Sequence, residues 1–370
     1  MKIFQILEFN QFNTGSVHQM FQAAAGLRER GHDVTIISRP DATLAARAAE
    51  HDVRFVGLPM RHQFDLGSIL KLRRLVRAER PDVIHVHKGI AHALAFAATW
   101  RQLVGAFVAN RGVSFPLDRW NRGKYRTKRV DRVVTVCEDI KRVIVASGNL
   151  PDDKVVVIYA GTDVAHFDPA IWSTRAFRDE KGIAADRFLV AQVGVRDWKG
   201  WMELIDALAE VAATHPTIHL ALIGCRSEKE MAEVTGYASD RGLGGRVTAI
   251  EYRTDMPNVY ASCDLVVDAS WAGTGITGTV REAMAMATPV IATDCGGNRE
   301  LVSSADVGWL VPKRDVAALA GAITQVIEDP ANAARVAANA RKHIVNGFSR
   351  DLRIAKLEAL YGAILAHRLP

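Results

Sequence analysis

The residues between Leu265 and Asp294 combine glycines, a glutamate and two apolar strands in an order that suits anion binding. They read LVVDAS-WAGTGITGTV-REAMAMAT-PVIATD, which predicts a strand, a glycine-rich turn, a short helix and a second strand. The glycines of 273–278 let a ligand approach the backbone, and the N–H groups at a helix start attract an anion. With the helix starting at Thr279, Glu282 falls in its first turn, where its carboxylate can accept hydrogen bonds from ligand hydroxyls. The alternative is a plain tight turn whose glutamate only complements the helix dipole.

A second loop brings two cations to the same predicted edge. It runs from Val193 to Gly200 after an apolar strand and contains Arg196 and Lys199. The carboxyl ends of parallel strands meet at one edge of a sheet, so both loops are expected to open on the same side. A guanidinium and an ammonium there would neutralise a diphosphate. The alternative is a solvated surface loop.

The histidines and cysteines do not predict a metal site. His85 and His87 alternate on one strand, and we expect them to point to opposite faces, which excludes a shared metal ion. His87 stands near the carboxyl end of its strand, before Lys88, and we expect it to face a ligand. The alternative for both histidines is a buried, hydrogen-bonded imidazole. The four cysteines are far apart and form no C-x-x-C pair, so reduced thiols are expected.

The elements that must position these residues alternate between strands and helices along all 370 residues. Such alternation predicts parallel sheets with helices on both faces. The length suggests two domains, which we place at 1–165 and 166–349, with a final helix after them. No apolar run reaches the ~18 residues of a membrane span, and the N-terminus lacks the pattern of a signal peptide. We therefore expect a cytoplasmic protein.

These segments together resemble the group 1, family 4 class of retaining GT-B glycosyltransferases. The resemblance spans nearly the whole chain and rests on the order and spacing of short motifs. In the second half they are Gly194…Lys199-Gly200, Leu222-Ile223-Gly224, Asp255–Ala261, Asp264–Val267, Glu282–Ala285, Pro289–Thr293, Gly296–Glu300 and Gly308–Val311. In the first half they are Arg30–Val34, Pro81–His87 and Ile158–Asp163.

The resemblance implies an α/β fold of the GT-B type, with two Rossmann-like, doubly wound parallel-sheet domains facing a central cleft. The N-terminal domain would bind the acceptor, and the C-terminal domain would bind a nucleotide-sugar donor. The helix 350–370 would pack back on the N-terminal domain. The acceptor would be a glycan or a lipid-linked molecule.

The family also implies roles for single residues. Glu282 would bind the ribose hydroxyls, and Arg196 and Lys199 would act on the diphosphate, so that neither a metal ion nor a cofactor is expected. Gly15 would let the first domain approach the diphosphate, while Tyr252 and Arg253 lie where the family holds the base. The remaining donor-binding positions would be Gly194, Thr274, Gly275, Ile276, Thr277 and Gly278.

Three positions depart from the family pattern. Thr274 stands where the family usually has a glutamate, eight residues before Glu282. Val195 stands where the family has an arginine in a loop one residue longer, so Arg196 must substitute. Arg111 follows a first-domain strand where many members place a histidine. An arginine cannot be a general base, but it could stabilise charge on the leaving phosphate.

Positive charge is concentrated in the first half of the chain. The net charge is +6; residues 1–165 contribute +9, from 25 lysines and arginines against 16 aspartates and glutamates. Basic and aromatic residues interleave over 115–132, and the amphipathic helix 66–79 is also basic. This favours peripheral contact with an anionic membrane, at its inner face, or a lipid-linked acceptor. A solvated face is the alternative, and nucleic acid is not expected.

The predicted activity is transfer of a glycosyl group to an acceptor hydroxyl with retention, in the synthesis of a surface polysaccharide, lipopolysaccharide or glycolipid. In this class the leaving phosphate takes the acceptor proton, so no strong protein base is needed. Three alternatives stay open. The run 273–278 is also G-x-G-x-x-G, with Asp294 ending the next strand, which fits an NAD-dependent oxidoreductase. A sugar-nucleotide epimerase and a non-catalytic donor-binding partner subunit are the others, the last suggested by Thr274.

Overall fold

The computed structural model describes residues 1–10, 14–100, 104–273 and 275–367. The chain divides into two compact units, here called unit 1 and unit 2. Unit 1 consists of Met1–Gly161 together with the final helix from Arg350 onward, and unit 2 is Thr162–Ser349. Unit 1 therefore ends at residue 161, slightly before the predicted boundary at 165.

Unit 1 is built on a seven-stranded parallel sheet with the strand order β3-β2-β1-β4-β5-β6-β7. Its strands are β1 (Lys2–Ile6), β2 (Asp33–Ser38), β3 (Arg54–Gly57), β4 (Val83–Val86), β5 (Ala106–Arg111), β6 (Arg132–Thr135) and β7 (Val155–Val157). The connecting helices are α1 (Gly15–Glu29), α2 (Ala42–Glu50), α3 (Leu66–Glu79), α4 (Gly89–Ala98), α5 (Arg122–Arg126) and α6 (Glu138–Gly148).

Unit 2 repeats the plan with a six-stranded parallel sheet in the order β10-β9-β8-β11-β12-β13. Its strands are β8 (Phe188–Val193), β9 (Ile218–Cys225), β10 (Val247–Glu251), β11 (Leu265–Asp268), β12 (Val290–Thr293) and β13 (Trp309–Val311). Its helices are α7 (Ala176–Lys181), α8 (Trp201–Val211), α9 (Glu228–Ser239), α10 (Met256–Ser262), α11 (Gly278–Ala285), α12 (Asn298–Leu301), α13 (Val316–Glu328) and α14 (Pro330–Gly347).

The central strands are apolar because helices cover both faces of each sheet. All four residues of β4, β11 and β12 are buried, as parallel crossover topology requires. The predicted fold class of two doubly wound parallel sheets is confirmed. In each sheet the order reverses at one place, between β1 and β4 in unit 1 and between β8 and β11 in unit 2. Ligands of such folds bind at the carboxyl ends of the strands at this switch point.

The last helix, α15 (Arg350–Ala366), belongs to unit 1. It packs so closely on α1 that a Cβ on Gly26 would overlap the side chain of Ile354. The Tyr361 hydroxyl lies 2.6 Å from Nδ1 of His85, and Arg353 donates to the carbonyl oxygen of Ile158 at 3.0 Å. The C-terminal helix thus completes the core of the N-terminal sheet.

No helix in the described ranges is both long and apolar enough to cross a membrane. The four cysteines are buried thiols.

Candidate functional site

The loops that leave β8 and β11 form the switch point of unit 2 and carry the predicted donor site. The two strands are neighbours in parallel register, with Leu265 opposite Val190. β9 and β10 continue the sheet on one side, and β12 and β13 continue it on the other. The loops that begin at Gly194 and Ala269 therefore open at the same edge, as predicted from the sequence.

The loop after β8 is a tight turn that only glycine permits at two positions. Gly194 has φ +101° and Gly200 has φ +66°, a backbone region that side chains with a Cβ rarely adopt. A Cβ on Gly200 would lie 2.1 Å from the carbonyl oxygen of Ala269. The Trp271 N–H also donates to the carbonyl oxygen of Trp198 at 2.8 Å. The two loops therefore form one close-packed edge.

The two predicted cations lie on this edge in different settings. Arg196 is exposed, and its guanidinium carbon lies 5.6 Å from the centre of the Trp198 ring. Lys199 is only 20% exposed, and its Nζ lies 3.6 Å from Oδ1 of Asp268. Arg196 is thus presented to solvent, whereas Lys199 is held by a buried counter-ion.

Asp268, the last residue of β11, is buried and was not singled out from the sequence. Its Oδ1 accepts a hydrogen bond from the Ser270 hydroxyl, and its Oδ2 accepts one from Nδ2 of Asn298 at 3.1 Å. Oδ1 of Asn298 in turn accepts from the Thr277 hydroxyl at 2.9 Å. Burial acts to raise the pKa of Asp268, but Lys199 and the hydrogen bonds outweigh it and leave the pKa below its usual value. An ionised carboxylate therefore ties Lys199 to the glycine-rich loop.

The glycine-rich loop enters α11 one residue earlier than predicted. The helix begins at Gly278, with Thr277 as its N-cap residue. Ile276 and Thr277 are buried, and the carbonyl oxygen of Gly275 accepts from the Gly297 N–H at 3.1 Å. Thr274 lies outside the described residues. Residues 275–278 therefore stand at the helix start beside the Asp268 network.

Glu282 lies in the second turn of α11 and not in the first, because the helix starts at Gly278. Its carboxylate still faces the helix start, since a Cβ on Gly278 would lie 3.4 Å from Oε1 of Glu282. The Tyr260 hydroxyl donates to Oε2 at 3.2 Å. Burial, and then the charge of Glu282, raise the pKa of Tyr260, so the hydroxyl keeps its proton and orients the carboxylate. Oε1 is left directed toward the glycine-rich loop.

Tyr252 and Arg253, predicted to lie near the base, follow β10 at the same edge. The Tyr252 ring is about half exposed. The Arg253 guanidinium is engaged by two carboxylates, donating to Oε1 of Glu180 at 2.7 Å and to Oδ2 of Asp255 at 2.6 Å. These hydrogen bonds raise the pKa of Arg253. Arg253 therefore holds α7 to the start of α10, and Tyr252 is the better placed of the two to meet a ligand.

The predicted site residues of unit 1 are spread along its sheet edge. Gly15 is the exposed first residue of α1, and no atom of the residues that the structure describes lies within 4 Å of where its Cβ would be. Arg111 ends β5, half-buried, and donates through Nη2 to the carbonyl oxygen of Phe115 at 2.8 Å.

The expectation for His85 and His87 was wrong. Residues two apart on a strand point to the same face, and the two rings stack with their centres 4.4 Å apart. His87 is 3% exposed, and its Nε2 lies 2.6 Å from Oε1 of Gln5. Burial, and then the charge of Arg353, lower the pKa of His87 to about 3. His87 is therefore a neutral core residue and does not face a ligand.

Clusters of three or more histidine, cysteine or acidic side chains that could hold a metal ion do not occur in the ranges that the structure describes. Asp294, the acidic residue of the oxidoreductase alternative, is paired with Arg299, whose Nε donates to Oδ1 at 3.0 Å.

Two family models match successive parts of the chain. The model "Glycosyl transferases group 1" matches residues 173–343, and the model "Glycosyltransferase Family 4" matches residues 14–166. Together they cover most of unit 2 and most of unit 1. Both halves of the chain thus match glycosyltransferase models, and the chain has the two-domain GT-B fold of glycosyltransferases.

Known relatives agree with this assignment. The chain is 24% identical to the putative glycosyltransferase YtcC of Bacillus subtilis over 365 residues, 95% of this chain and 88% of the relative. It is 24% identical to an Escherichia coli UDP-Gal:alpha-D-GlcNAc-diphosphoundecaprenol alpha-1,3-galactosyltransferase over 312 residues, 80% of this chain and 79% of the relative. The structure of Anabaena HepE in complex with UDP superimposes with a TM-score of 0.85 at 21% identity, covering 98% of this chain and 100% of HepE.

Proposed function

We propose that this protein transfers a sugar from a UDP-sugar to an acceptor hydroxyl, with retention and without a metal ion. The transfer would serve synthesis of a surface polysaccharide, lipopolysaccharide or glycolipid. One observation carries the proposal. At the switch point of unit 2, Arg196 and Lys199 share an edge with the start of α11 and with the Glu282 carboxylate.

This edge suits the departure of a nucleoside diphosphate. Negative charge grows on the diphosphate as the glycosidic bond breaks, and preorganised cations stabilise that charge more than they stabilise the donor at rest. Arg196 and Lys199 supply two positive charges, and the N–H groups at the start of α11 add a partial charge. These groups could do what a divalent cation does at other diphosphate sites, which supports metal independence.

Retention is supported by the two side chains of unit 1 that were predicted to be catalytic, because neither can act as a base. Arg111 cannot accept a proton, and His87 is buried with its pKa lowered to about 3. In the proposed step the bond from the anomeric carbon to the phosphate oxygen breaks, and the acceptor oxygen adds to the same face. The departing phosphate oxygen takes the acceptor proton, so the reaction needs no protein base.

The donor base is proposed to be uracil. The support is the UDP bound to Anabaena HepE and the UDP-Gal named for the Escherichia coli relative. The exposed Tyr252 ring after β10 could stack on the base. Glu282, oriented by Tyr260, would accept hydrogen bonds from the ribose hydroxyls.

The acceptor would be a glycan or a lipid-linked molecule reached from an anionic membrane at its inner face. Trp120 is 86% exposed and Phe115 is 61% exposed within the basic stretch 115–132, a pairing that suits a membrane interface. Not every member of that stretch is available, because Tyr125 is buried and Arg129 lies 3.8 Å over the Phe96 ring.

A thermal-shift panel tests the donor site. The ligands are UDP, GDP, ADP, a UDP-sugar, a GDP-sugar and NADH, each tested on the wild type, on Glu282→Ala and on Glu233→Ala. Glu233 is an exposed carboxylate on α9 and serves as the matched control. A ligand at 100 times its Kd stabilises by about 2.7 kcal/mol, which raises the Tm by several degrees in a protein of this size.

The expected result is stabilisation by UDP and the UDP-sugar, lost in Glu282→Ala and kept in Glu233→Ala. Stabilisation by NADH alone would overturn the proposal in favour of the oxidoreductase. UDP-sugar binding with no transfer or hydrolysis in a coupled UDP-release assay would favour the non-catalytic partner subunit.

A further inference from the structure

We propose that the switch point of unit 1 binds a phosphate group, and that Lys88, Lys124 and Arg111 hold it. The assignment of that phosphate to the acceptor rests on the proposed function. The phosphate site itself rests on unit 1 alone. The phosphate would be a monoester carried either by a lipid headgroup or by a soluble sugar or polyol.

The site lies where the strand order of unit 1 reverses, between β1 and β4. Glu8 follows β1 and is only 4% exposed. Its two carboxylate oxygens accept hydrogen bonds from the backbone N–H groups of Ile90 at 3.2 Å and Ala91 at 3.1 Å. Glu8 therefore fixes the start of α4, and both of its oxygens are already engaged by backbone.

Three cations surround this point from three elements. Lys88 is the N-cap residue of α4, with its Nζ 3.9 Å from the centre of the Phe9 ring. Lys124, on the short helix α5, has its Nζ 3.5 Å from the carbonyl oxygen of Gly89. Arg111 comes from the end of β5 and is near enough to Lys124 to repel its charge. All three side chains are half-buried.

For Lys88 and Lys124, burial lowers the pKa by more than the nearby negative charges raise it. Burial is the main cause that lowers the pKa of Lys88, and the charge of Glu8 offsets it only in part. Burial also lowers the pKa of Lys124, followed by repulsion from Arg111. Half-buried cations at a switch point, two of them with lowered pKa values, are typical of a ligand site.

The donor groups favour phosphate over a carboxylate. Lys88, Lys124 and Arg111 bring three positive charges, and Glu8 and Asp118, whose charges both act on Lys124, bring two negative charges, which leaves a balance of +1. A phosphate monoester carries about −1.5 to −2 at pH 7 and has three acceptor oxygens. Two lysine ammonium groups and one arginine fork match those oxygens. Gly89, whose carbonyl oxygen Lys124 contacts, is exposed, so the cluster is open to solvent.

This placement changes the role expected for Arg111. The sequence suggests that Arg111 stabilises the leaving phosphate of the donor. Within unit 1 its neighbours are Lys124 and the buried Tyr125. Its Nη2 donates a hydrogen bond to the carbonyl oxygen of Phe115. Arg111 is therefore assigned to the unit 1 phosphate.

Lysine acetylation read by mass spectrometry tests the site directly. The rates of reaction of Lys88 and Lys124 with limiting acetic anhydride are compared with and without glycerol 1-phosphate, with glycerol as the neutral control. Lys71, exposed on α3, is the internal reference, and Lys199 reports separately on unit 2. At a phosphate concentration twice the Kd, Lys88 and Lys124 are expected to react about threefold more slowly, while Lys71 is unchanged.

A second arm separates the two sources of phosphate. Vesicles of phosphatidylcholine with one-fifth phosphatidic acid are compared with vesicles of phosphatidylcholine alone. Protection by glycerol 1-phosphate identifies a site open to soluble acceptors, and protection only by the phosphatidic acid vesicles identifies a lipid headgroup. Protection should be lost in Arg111→Ala and largely kept in Arg111→Lys, which retains the charge.

Equal rates in every arm would overturn the proposal, as would equal protection by glycerol or by neutral vesicles. Failure here is distinguishable from failure of the proposed function. The labelling reads Lys88 and Lys124 without any donor, whereas the UDP panel reads unit 2. A chain that binds UDP without protecting these lysines keeps the proposed function and loses the phosphate site.

Discussion

The two switch points have the same strand order but differ in how their charged side chains are paired. Each has a buried carboxylate at the end of a central strand, Asp268 in unit 2 and Glu8 in unit 1. Asp268 is bound by side chains and lies 3.6 Å from the Lys199 ammonium. Glu8 is bound by backbone N–H groups of α4. Unit 2 therefore presents a paired cation in a rigid network, and unit 1 presents desolvated cations whose carboxylate is already engaged.

The difference teaches that a common strand order can serve two kinds of anion site. In unit 2 a ligand must compete with Asp268 for Lys199, but the lysine is already in place when the ligand arrives. In unit 1 the ligand itself relieves the cost of burying Lys88 and Lys124. Packing differs in the same way: the unit 2 loops touch at Gly200, whereas no described atom of unit 1 lies within 4 Å of the Gly15 Cβ position.

The largest effect is expected from Gly200→Ala. A Cβ there meets the Ala269 carbonyl oxygen and also requires φ near +66°, so the loops must separate. We expect unit 2 to lose on the order of 2–4 kcal/mol of stability, measured by chemical denaturation. Gly236→Ala is the control, since Gly236 lies inside α9 with nothing within 4 Å of its Cβ position, and it should stabilise by about 0.5–1 kcal/mol. Equal effects of the two changes would show that the loops are not close-packed.

The second largest effect is expected from Lys199→Ala, which removes a cation from the proposed diphosphate site and leaves Asp268 without its counter-ion. We expect glycosyl transfer to slow about 100-fold or more, as when a transition-state donor is removed. Stability should fall by about 1–3 kcal/mol, the cost of a buried group that has lost a partner. The double variant Lys199→Ala/Asp268→Asn should regain stability but not activity. Recovery of both would mean that Lys199 acts only on the fold.

The sequence predicts those features of the two switch points that depend on residues close together in the chain. The strand, glycine-rich turn and helix of 265–294 were predicted because they follow one another directly along the chain. The predicted start of α11 was one residue late, because Thr277 and not Gly278 is the N-cap residue. The signal for the stacked histidines was also present, since residues two apart on a strand share a face, but it was misapplied.

The missed residues depend on contacts between distant parts of the chain. Lys124 contacts Gly89 from a five-residue helix that follows β5 in the chain. No periodic pattern in the sequence predicts that contact. Asp268 is a single acid at the end of an apolar strand, and its partners Lys199 and Asn298 come from two other loops. The sequence shows such residues one at a time, and only the folded sheet brings them together.

Acid should also separate the two units. Burial lowers the pKa of His87 and of His92 to about 3, and it lowers that of His85 well below its usual value. The corresponding residue of unit 2 is His219, with a pKa of about 4. A histidine whose folded pKa is depressed contributes stability above about pH 6.5, and that stability is lost as the pH falls, because the unfolded chain takes up the proton. Unit 1 should therefore weaken more than unit 2 between pH 6.5 and 5, by roughly 1–2 kcal/mol per histidine.

Hydrogen exchange read by mass spectrometry follows each unit separately under these conditions. His92→Phe should reduce the acid sensitivity of unit 1, because His92 packs among the rings of Phe96, Phe107 and Tyr125, where a phenyl ring can replace it. A unit 2 that loosens first on acidification would contradict the assignment of the sensitivity to the buried histidines.

The smallest structural effect is expected from Gly15→Ala, and it sharpens the contrast with Gly200. Gly15 is the first residue of α1, and a Cβ there would touch no atom of the described ranges within 4 Å. The stability of unit 1 should change by about 0.5 kcal/mol or less, since an exposed helix start accepts alanine. The family resemblance assigns Gly15 to close approach of the donor diphosphate, so the KM for the UDP-sugar should still rise several-fold. A normal KM with unchanged stability would remove Gly15 from the donor site, and a large loss of stability would show that its glycine serves the fold.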